Sequence, residues 1–407
     1  MGKWEMVDIP EMLFFQEGPG VRNTQYTSYG VKLLNVANLQ NGRIDLSTSD
    51  RYISEEEAHG KYKHFLVDEG DLIIASSGIQ VDYFEKKMGF ILSSHLPLCM
   101  NTSTIRFKSL DNNKLYIKYF MYYLKTNQFK MQLSKFITGS AQLNFGPSHL
   151  KQMNFPLPPF PIQQKIADVL DRANALVEKR KAQIEKLDLL VKSQFVEMFG
   201  DPVTNPMEWQ LYKLNDICSI IVDCPHSTPN YIQEYTGYMC IRTSILKPNQ
   251  IDWGNIEYIS QKQYIERTKR YIPKKNDIIY SREGAILGIA ALIDKDFKVA
   301  LGQRMMLLSI NLEICNPKYI CYMMNSKFII SQVESKISGS ASPHINVADV
   351  KDFKITLPPL ELQNQFAAFV ERVETQKSQM KKGLELMELG YKSLMQKCFN
   401  GEMFTLK

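Results

Sequence analysis

The chain repeats itself once, and the length of that repeat decides most of what it can fold into. Gly139-Ser140-Ala141 returns as Gly339-Ser340-Ala341, and Leu157-Pro158-Pro159 as Leu357-Pro358-Pro359, each displaced by 200 residues (339 − 139, 357 − 157). Gln163 and Gln363, Ala167 and Ala367, and Lys192-Ser193 and Lys392-Ser393 keep the same displacement. Nearer the start of each copy it drifts: Trp4 pairs with Trp209 at 205. Tyr52-Ile53-Ser54 pairs with Tyr258-Ile259-Ser260, and Asp71-Leu72-Ile73 with Asp277-Ile278-Ile279, both at 206. Stacked solenoids repeat every 20–50 residues or so, and are excluded. The 407 residues hold two copies of one unit, alike around the LPP triplet and diverged in the middle. One part of the unit is constrained and another is free to differ. Duplication without functional meaning is the plainer alternative.

The triplet marks where helices start, because Pro is tolerated just before or within a first helical turn. After Pro161 the apolar side of the pattern runs Ile162, Ile166, Val169, Ala173, Leu176, Arg180, Ile184, Leu187, Val191, Phe195, Met198. After Leu360 it runs Phe366, Val370, Val373, Lys377, Met380, Leu384, Met387, Tyr391, Leu394, Cys398, in alternating steps of four and three, a heptad seam. Gly383 and Gly390 weaken the second helix by about 1 kcal/mol each relative to Ala, so packing must hold it. A helix of this length alone would expose a long apolar stripe, whereas two of equal length can bury each other. The expectation is an antiparallel pair with a pseudo-twofold axis, and boundaries at 1–155, 156–201, 202–355 and 356–407. Packing of each helix on its own globular part alone is the alternative.

Both globular parts read as α+β. Val31–Val36 and Asp71–Ala75 predict strands in the first, and Tyr238–Arg242, Asp277–Tyr280, Ile289–Ile293 and Met305–Ile310 in the second. Gly70-Asp71 and Asn276-Asp277 supply turns. Leu115–Lys130 and Pro317–Val333 predict one helix each. The fold class is therefore α+β: two tandem α+β domains separated by an antiparallel two-helix coiled coil.

Loops on a rigid scaffold are where binding residues gather. In the second copy they hold His226, Ser227 and Thr228, then Arg242 and Thr243, then Ser281 and Arg282, then Gln303 and Arg304. Arg can hold guanine, and Asn or Gln adenine, through two hydrogen bonds. Arg267, Lys269, Arg270, Lys274 and Lys275 form a basic cluster suited to phosphates. In the first copy the corresponding places hold Arg22, Asn23, Gln25, Tyr26, Asn35, Asn38, Ser76 and Ser77. The two sets carry different donors and acceptors, as two readers of different sequences would need.

Composition sets limits around this. Hydrophobic residues at 44%, with 20 Tyr and 21 Phe, predict folded cores rather than disorder. The net charge of +6 divides as +2 in 1–155 (17 basic, 15 acidic), 0 in 156–201 (7 and 7), +3 in 202–355 (18 and 15) and +1 in 356–407 (7 and 6). The excess lies mainly in the globular parts, a mild bias compatible with nucleic acid. Seven Cys without CxxC spacing predict reduced, structural thiols in a cytoplasmic protein. No signal segment or membrane span is expected. There is no GxxxxGK[ST] phosphate loop, no GxGxxG cradle, and no Asn/Asp-Pro-Pro-Tyr/Phe tetrapeptide of the kind adenine methyltransferases use. Asp82, Glu85 and Lys87 are a loose nuclease-like set, His59 and His64 lack support for a metal, and Cys224 with His226 is a weak nucleophile pair. No metal or cofactor is expected.

These residues resemble the specificity subunit of type I restriction–modification systems over essentially the whole chain. The matching features are the LPP-x-x-x-Q-x-x-(I/F)-A starts at Leu157–Ala167 and Leu357–Ala367, Gly200-Asp201-Pro202, His226-Ser227-Thr228-Pro229, Ser281-Arg282-Glu283-Gly284, and Gly302-Gln303-Arg304-Met305-Met306. The resemblance implies two target-recognition domains, each reading half of a split double-stranded DNA site, with the helices as a ruler between the halves. It implies two methyltransferase subunits carrying S-adenosylmethionine and motor-nuclease subunits using ATP as partners, and no catalysis by this chain. The first copy departs from the pattern: Gln16–Tyr26 lacks the HSTP loop and Ser76-Ser77-Gly78 replaces the SREG turn. The rivals are a protein-binding coiled-coil scaffold and a divergent stand-alone methyltransferase or nuclease.

Overall fold

The computed structural model describes residues 4–135, 143–284, 286–337 and 343–404. The repeated Gly-Ser-Ala triplets at 139–141 and 339–341 fall outside them. The chain divides into two units, 1–181 with 382–407, and 182–381. Each unit contains one globular head, the first half of the long helix that follows it, and the second half of the other long helix.

In head 1 a four-stranded antiparallel sheet runs in the order Leu13–Glu17, Thr104–Ser109, Leu72–Ala75, Met88–Phe90. A three-stranded sheet runs Leu98–Met100, Val31–Leu34, Tyr52–Ile53, its first pair parallel. Met6–Asp8 pairs with Asn154–Pro156. Head 2 repeats these three sheets: Cys218–Asp223, Met305–Ile310, Ile278–Ser281, Ala290–Leu292; then Val299–Leu301, Met239–Ile241, Glu257–Tyr258; then Leu211–Lys213 with Lys354–Thr356. Both heads are thus α+β. The turns before Leu72–Ala75 and Ile278–Ser281 use left-handed Gly70 and Asn276, and each is closed by a carboxylate: Asp71 accepts from the Asp68 amide at 2.9 Å, Asp277 from the Lys274 amide at 2.7 Å.

Two predicted helices are each broken in two. Ile117–Leu124 stops before Asn127–Ser134, and Pro317–Met324 before Lys327–Glu334. At each break a hydroxyl caps the second helix: Thr126 accepts from the Phe129 amide and Ser326 from the Ile329 amide. The first amides of a new helix have no carbonyl four residues back to bond, and the capping hydroxyl gives one of them a partner.

The long helices, Phe160–Phe199 and Leu360–Phe399, have 40 residues each, about 60 Å at 1.5 Å per residue. Gln163 and Gln363 are fully buried at their starts. Gln163 accepts from the Tyr116 amide and donates to the carbonyls of Lys114 and Pro158; Gln363 accepts from the Asn316 amide and donates to those of Ile314 and Pro358. A glutamine with its whole amide satisfied fixes the head against the helix start. The ends are treated alike: the Trp209 indole donates to the Phe199 carbonyl at 2.9 Å, and Trp4 to Cys398 at 3.5 Å.

Within each unit the half-helices run antiparallel. In unit 1 Ile166, Ala167 and Leu170 share a core with Met395, Cys398 and Phe399, and Lys181 pairs with Glu388 at 3.1 Å. In unit 2 Phe195 meets Phe366 edge-on at 5.4 Å, and Lys377 pairs with Asp188. The buried row of the first helix is Gln163, Leu170, Val177, Ile184, Val191, a strict seven-residue repeat; Val169 and Leu187 flank it half-buried. Leu176, expected in the seam, is 59% exposed. Val177 is the seventh residue from both Leu170 and Ile184, so helical geometry turns it inward despite its smaller side chain. In the second helix Phe366, Val370 and Val373 are buried, and Leu384 and Met387 half-buried. Gly383 makes room for Arg180, whose Nη1 would lie 3.0 Å from a Cβ there.

Candidate nucleic-acid interface

The candidate residues of head 2 gather where its strands end. The loop 224–229 leaves Cys218–Asp223, Arg242 and Thr243 leave Met239–Ile241, residues 282–284 leave Ile278–Ser281, and residues 302–304 lead into Met305–Ile310. Gln303 Nε2 donates to the His226 carbonyl at 2.5 Å, joining two of these loops. His226, Ser227, Thr228 and Arg304 are exposed, and Thr243 half-buried. His226 Nε2 lies 3.3 Å from Asp223 Oδ2.

Several candidates hold this surface together instead of presenting a reading edge. Arg282 is only 6% exposed. Its Nε and Nη2 donate to the two carboxylate oxygens of Asp223 at 2.9 and 3.1 Å, and Nη1 lies 2.6 Å from Glu283. Ser281 is fully buried, exchanging hydrogen bonds with the Ile289 backbone. Arg267, expected on phosphate, aims its guanidinium at protein: Nε donates to the Leu301 carbonyl, Nη1 to the Ser227 carbonyl and hydroxyl, and Nη2 to the carbonyls of Pro225 and Gly302. Arg242 pairs with Glu257 and lies over the Tyr231 ring. Of the remaining basic cluster, Lys274 lies over Tyr271. Lys269, Arg270 and Lys275 are exposed, and have no ion pair or side-chain hydrogen bond among the described residues. Cys224 is buried, accepts from the Met305 amide, and burial pushes its thiol pKa up, which is unsuited to a nucleophile.

In head 1 the expected adenine readers are occupied. Asn38 is fully buried: Oδ1 accepts from the Asn35 amide, and Nδ2 donates to the Asp45 carbonyl and the Thr48 hydroxyl. Asn35 donates to the Leu33 carbonyl and the Ser49 hydroxyl, and its Oδ1 accepts from Asn101 at 2.8 Å. A side-chain amide can grip adenine only when both its edges are free. Gln25 donates to Glu57 and Tyr62 and accepts from the Arg22 amide. Tyr26 lies under Arg51 and accepts from Asn101. Ser76 is buried beside Glu17, 3.5 Å away. Arg22 and Asn23 are exposed, and Ser77 donates to Ser103 at 2.6 Å. Glu85 lies 3.8 Å from Lys130, the Asp82 side chain lies outside the described residues, and His59 pairs with Glu55. No group of three or more metal-binding side chains occurs among the described residues, and no described helix is long and apolar enough to cross a membrane.

Two polar-tipped heads of one plan, each tied to a long helix, correspond to a known family. The family model for the type I restriction modification DNA specificity domain matches this sequence twice, at residues 1–186 and 206–386. The chain belongs to that family. It is 22% identical over 358 residues to the type I restriction enzyme MjaVIII specificity subunit of Methanocaldococcus jannaschii, covering 84% of this chain and 81% of that one. It is 21% identical over 393 residues to the EcoKI specificity subunit of Escherichia coli, covering 91% and 82%. Among solved structures, the type I S subunit from M. genitalium superposes with a TM-score of 0.52 at 15% identity, covering 98% of this chain and 96% of that one. A chain from a structure described as underlying complex assembly and conformational transition of the type I R-M system gives 0.61 at 15% identity, covering 99% and 98%. These last two likenesses are of fold.

For a member of this family the most informative residues were ones the sequence did not single out. Asn101 is the hub of the head 1 network, and Asp223 and Glu17 hold equivalent places beneath Arg282 and Ser76. Ser103 stands where Arg304 stands in head 2. A displacement of 206 (223 − 17) aligns Glu17 with Asp223, and one of 201 (304 − 103) carried through the diverged middle aligns Ser103 with Arg304.

Proposed function

We propose that this chain reads a two-part double-stranded DNA target, one part per head, and brings methyltransferase subunits, and through them motor-nuclease subunits, to that target. S-adenosylmethionine and ATP belong to those partners, and the complex works in the cytoplasm. In head 2 the exposed residues His226, Ser227, Thr228 and Arg304 face the bases, while Lys269, Arg270, Lys274 and Lys275 meet phosphates. In head 1 Arg22, Asn23 and Ser77 occupy the corresponding surface. The paired helices set the gap between the two parts.

The observation that carries this reading is that both heads keep one backbone plan while their exposed tips carry different side chains. A duplicated scaffold with diverged polar tips suits recognition of two unlike sequences by one mechanism. Footprinting the full chain on DNA tests it. Two protected patches separated by about one or more helical turns, lost as salt rises, are expected. Absence of protection at low salt would favour a protein-binding scaffold, and methyl transfer by the chain alone would make it an enzyme.

A further inference from the structure

One backbone position, at the mouth of one interior strand of each four-stranded sheet, is built alike in both heads and filled differently. Ser103 precedes Thr104–Ser109, and Arg304 precedes Met305–Ile310. Both have φ of +66°, the left-handed region that side-chain-bearing residues seldom adopt. Such a conformation persists only where the surroundings enforce it.

The surroundings correspond bond by bond. The Ser103 carbonyl accepts from the Ser76 amide at 2.8 Å, and the Arg304 carbonyl from the Arg282 amide at 3.0 Å. The next carbonyl, of Thr104 or Met305, accepts from Gly18 at 2.8 Å or Cys224 at 3.1 Å. Two residues before the position, Asn101 donates to Leu34 and Gly302 to Ile241. On the far side, the Ser76 carbonyl accepts from Phe145 and the Arg282 carbonyl from Ile345. Four backbone hydrogen bonds therefore recur at matching places around a left-handed residue, although the side chains supported differ.

The Arg304 side chain is exposed and that of Ser103 half-buried. Arg304 has no ion pair or side-chain hydrogen bond among the described residues, in contrast to Arg242, Arg267 and Arg282. Its Nη1 lies over Gly284, where a Cβ would come within 3.3 Å. Ser103 accepts a hydrogen bond from Ser77, which leaves its own hydroxyl hydrogen to donate.

We propose that Ser103 and Arg304 are one readout position shared by the two heads, whose side chain sets one base pair of each half-site. Arg304 grips guanine through O6 and N7, and Ser103 offers a single short hydroxyl. The inference rests on the DNA-reading role proposed above.

The test is selection from a pool of random duplexes by the full chain, followed by sequencing. Wild type yields two defined blocks. R304S, or R304N whose side chain tolerates the left-handed region, loses the guanine requirement at one base pair of one block. Discrimination there falls by about 10-fold to 100-fold, the worth of a bidentate contact. The other block stays intact. S103R gains a guanine preference at one base pair of that other block. If wild type selects two blocks and all three variants select the same two, the inference is overturned and the reading role stands. Equal weakening on every sequence with a shallower salt dependence also overturns it, because Arg304 would then touch phosphate. A wild-type chain that selects no sequence overturns the reading role, and this inference with it.

Discussion

Replacing Arg282 with Ala removes one partner of a buried charged cluster and leaves the other behind. The guanidinium bonds both oxygens of Asp223 and lies against Glu283, with the Arg282 side chain 7% exposed and that of Asp223 19%. Breaking a buried ion pair from one side costs about 3–5 kcal/mol, much of it the stranded charge. Partial exposure of the carboxylates sets this case at the lower end, about 3 kcal/mol. For a unit of this size that is a melting shift of about 6–12 °C. Asp223→Ala should cost a similar amount. The double variant should cost less than the sum, by about 2 kcal/mol, because neither charge is then stranded. Urea unfolding of the full chain followed by Trp fluorescence suits the measurement, since Trp209 and Trp253 both lie in unit 2. An R282A chain as stable as wild type, or two substitutions that simply add, would refute the assignment of Arg282 as a strut. So would a change of base preference without loss of stability.

Arg267→Lys keeps the charge but loses the planar fork that gathers four backbone carbonyls; amide exchange in 226–228 should quicken, and unchanged exchange would remove its clamping role. Asp71 and Asp277 have pKa values raised chiefly by burial. Their folded states hold a proton more tightly than the unfolded chain, so this contribution is fullest below the ordinary aspartate range and is lost as pH rises through the raised value. D71N and D277N should therefore gain stability relative to wild type between about pH 4 and neutral; urea titrations showing the opposite slope would contradict the burial effect. Val177→Ala should destabilise by about 1–2 kcal/mol while Leu176→Ala changes little, and the reverse order would return Leu176 to the seam.

The plan of the molecule was legible because a duplicated chain carries its own internal comparison. The displacement of 200 residues located the helix starts, and heptad steps gave the second seam from Phe366 to Cys398. The first seam slipped at one point, where Leu176 outranks Val177 in hydrophobicity but not in angular position. The helix breaks at Thr126 and Ser326 were hidden because a capping hydroxyl within an apolar stretch looks like an ordinary interruption. Sheet order depends on pairings between strands far apart in sequence, such as Leu13–Glu17 with Thr104–Ser109, which local pattern does not encode. The candidate surface was legible in place but not in detail. Loop positions such as His226 and Arg304 are exposed, yet Arg282, Arg267, Asn35 and Asn38 have their polar groups bound to protein. A residue type gives its hydrogen-bonding capacity; only the fold shows whether that capacity is already filled.

Exchanging one head for a second copy of the other distinguishes two independent readers from one joint surface. A chain in which residues 202–355 are replaced by residues 1–155 should select duplexes carrying the head 1 block twice, with the interval between blocks kept. If the exchanged chain, folded and bound to DNA, still selects the original two unlike blocks, or selects one continuous sequence, then the heads do not read independently.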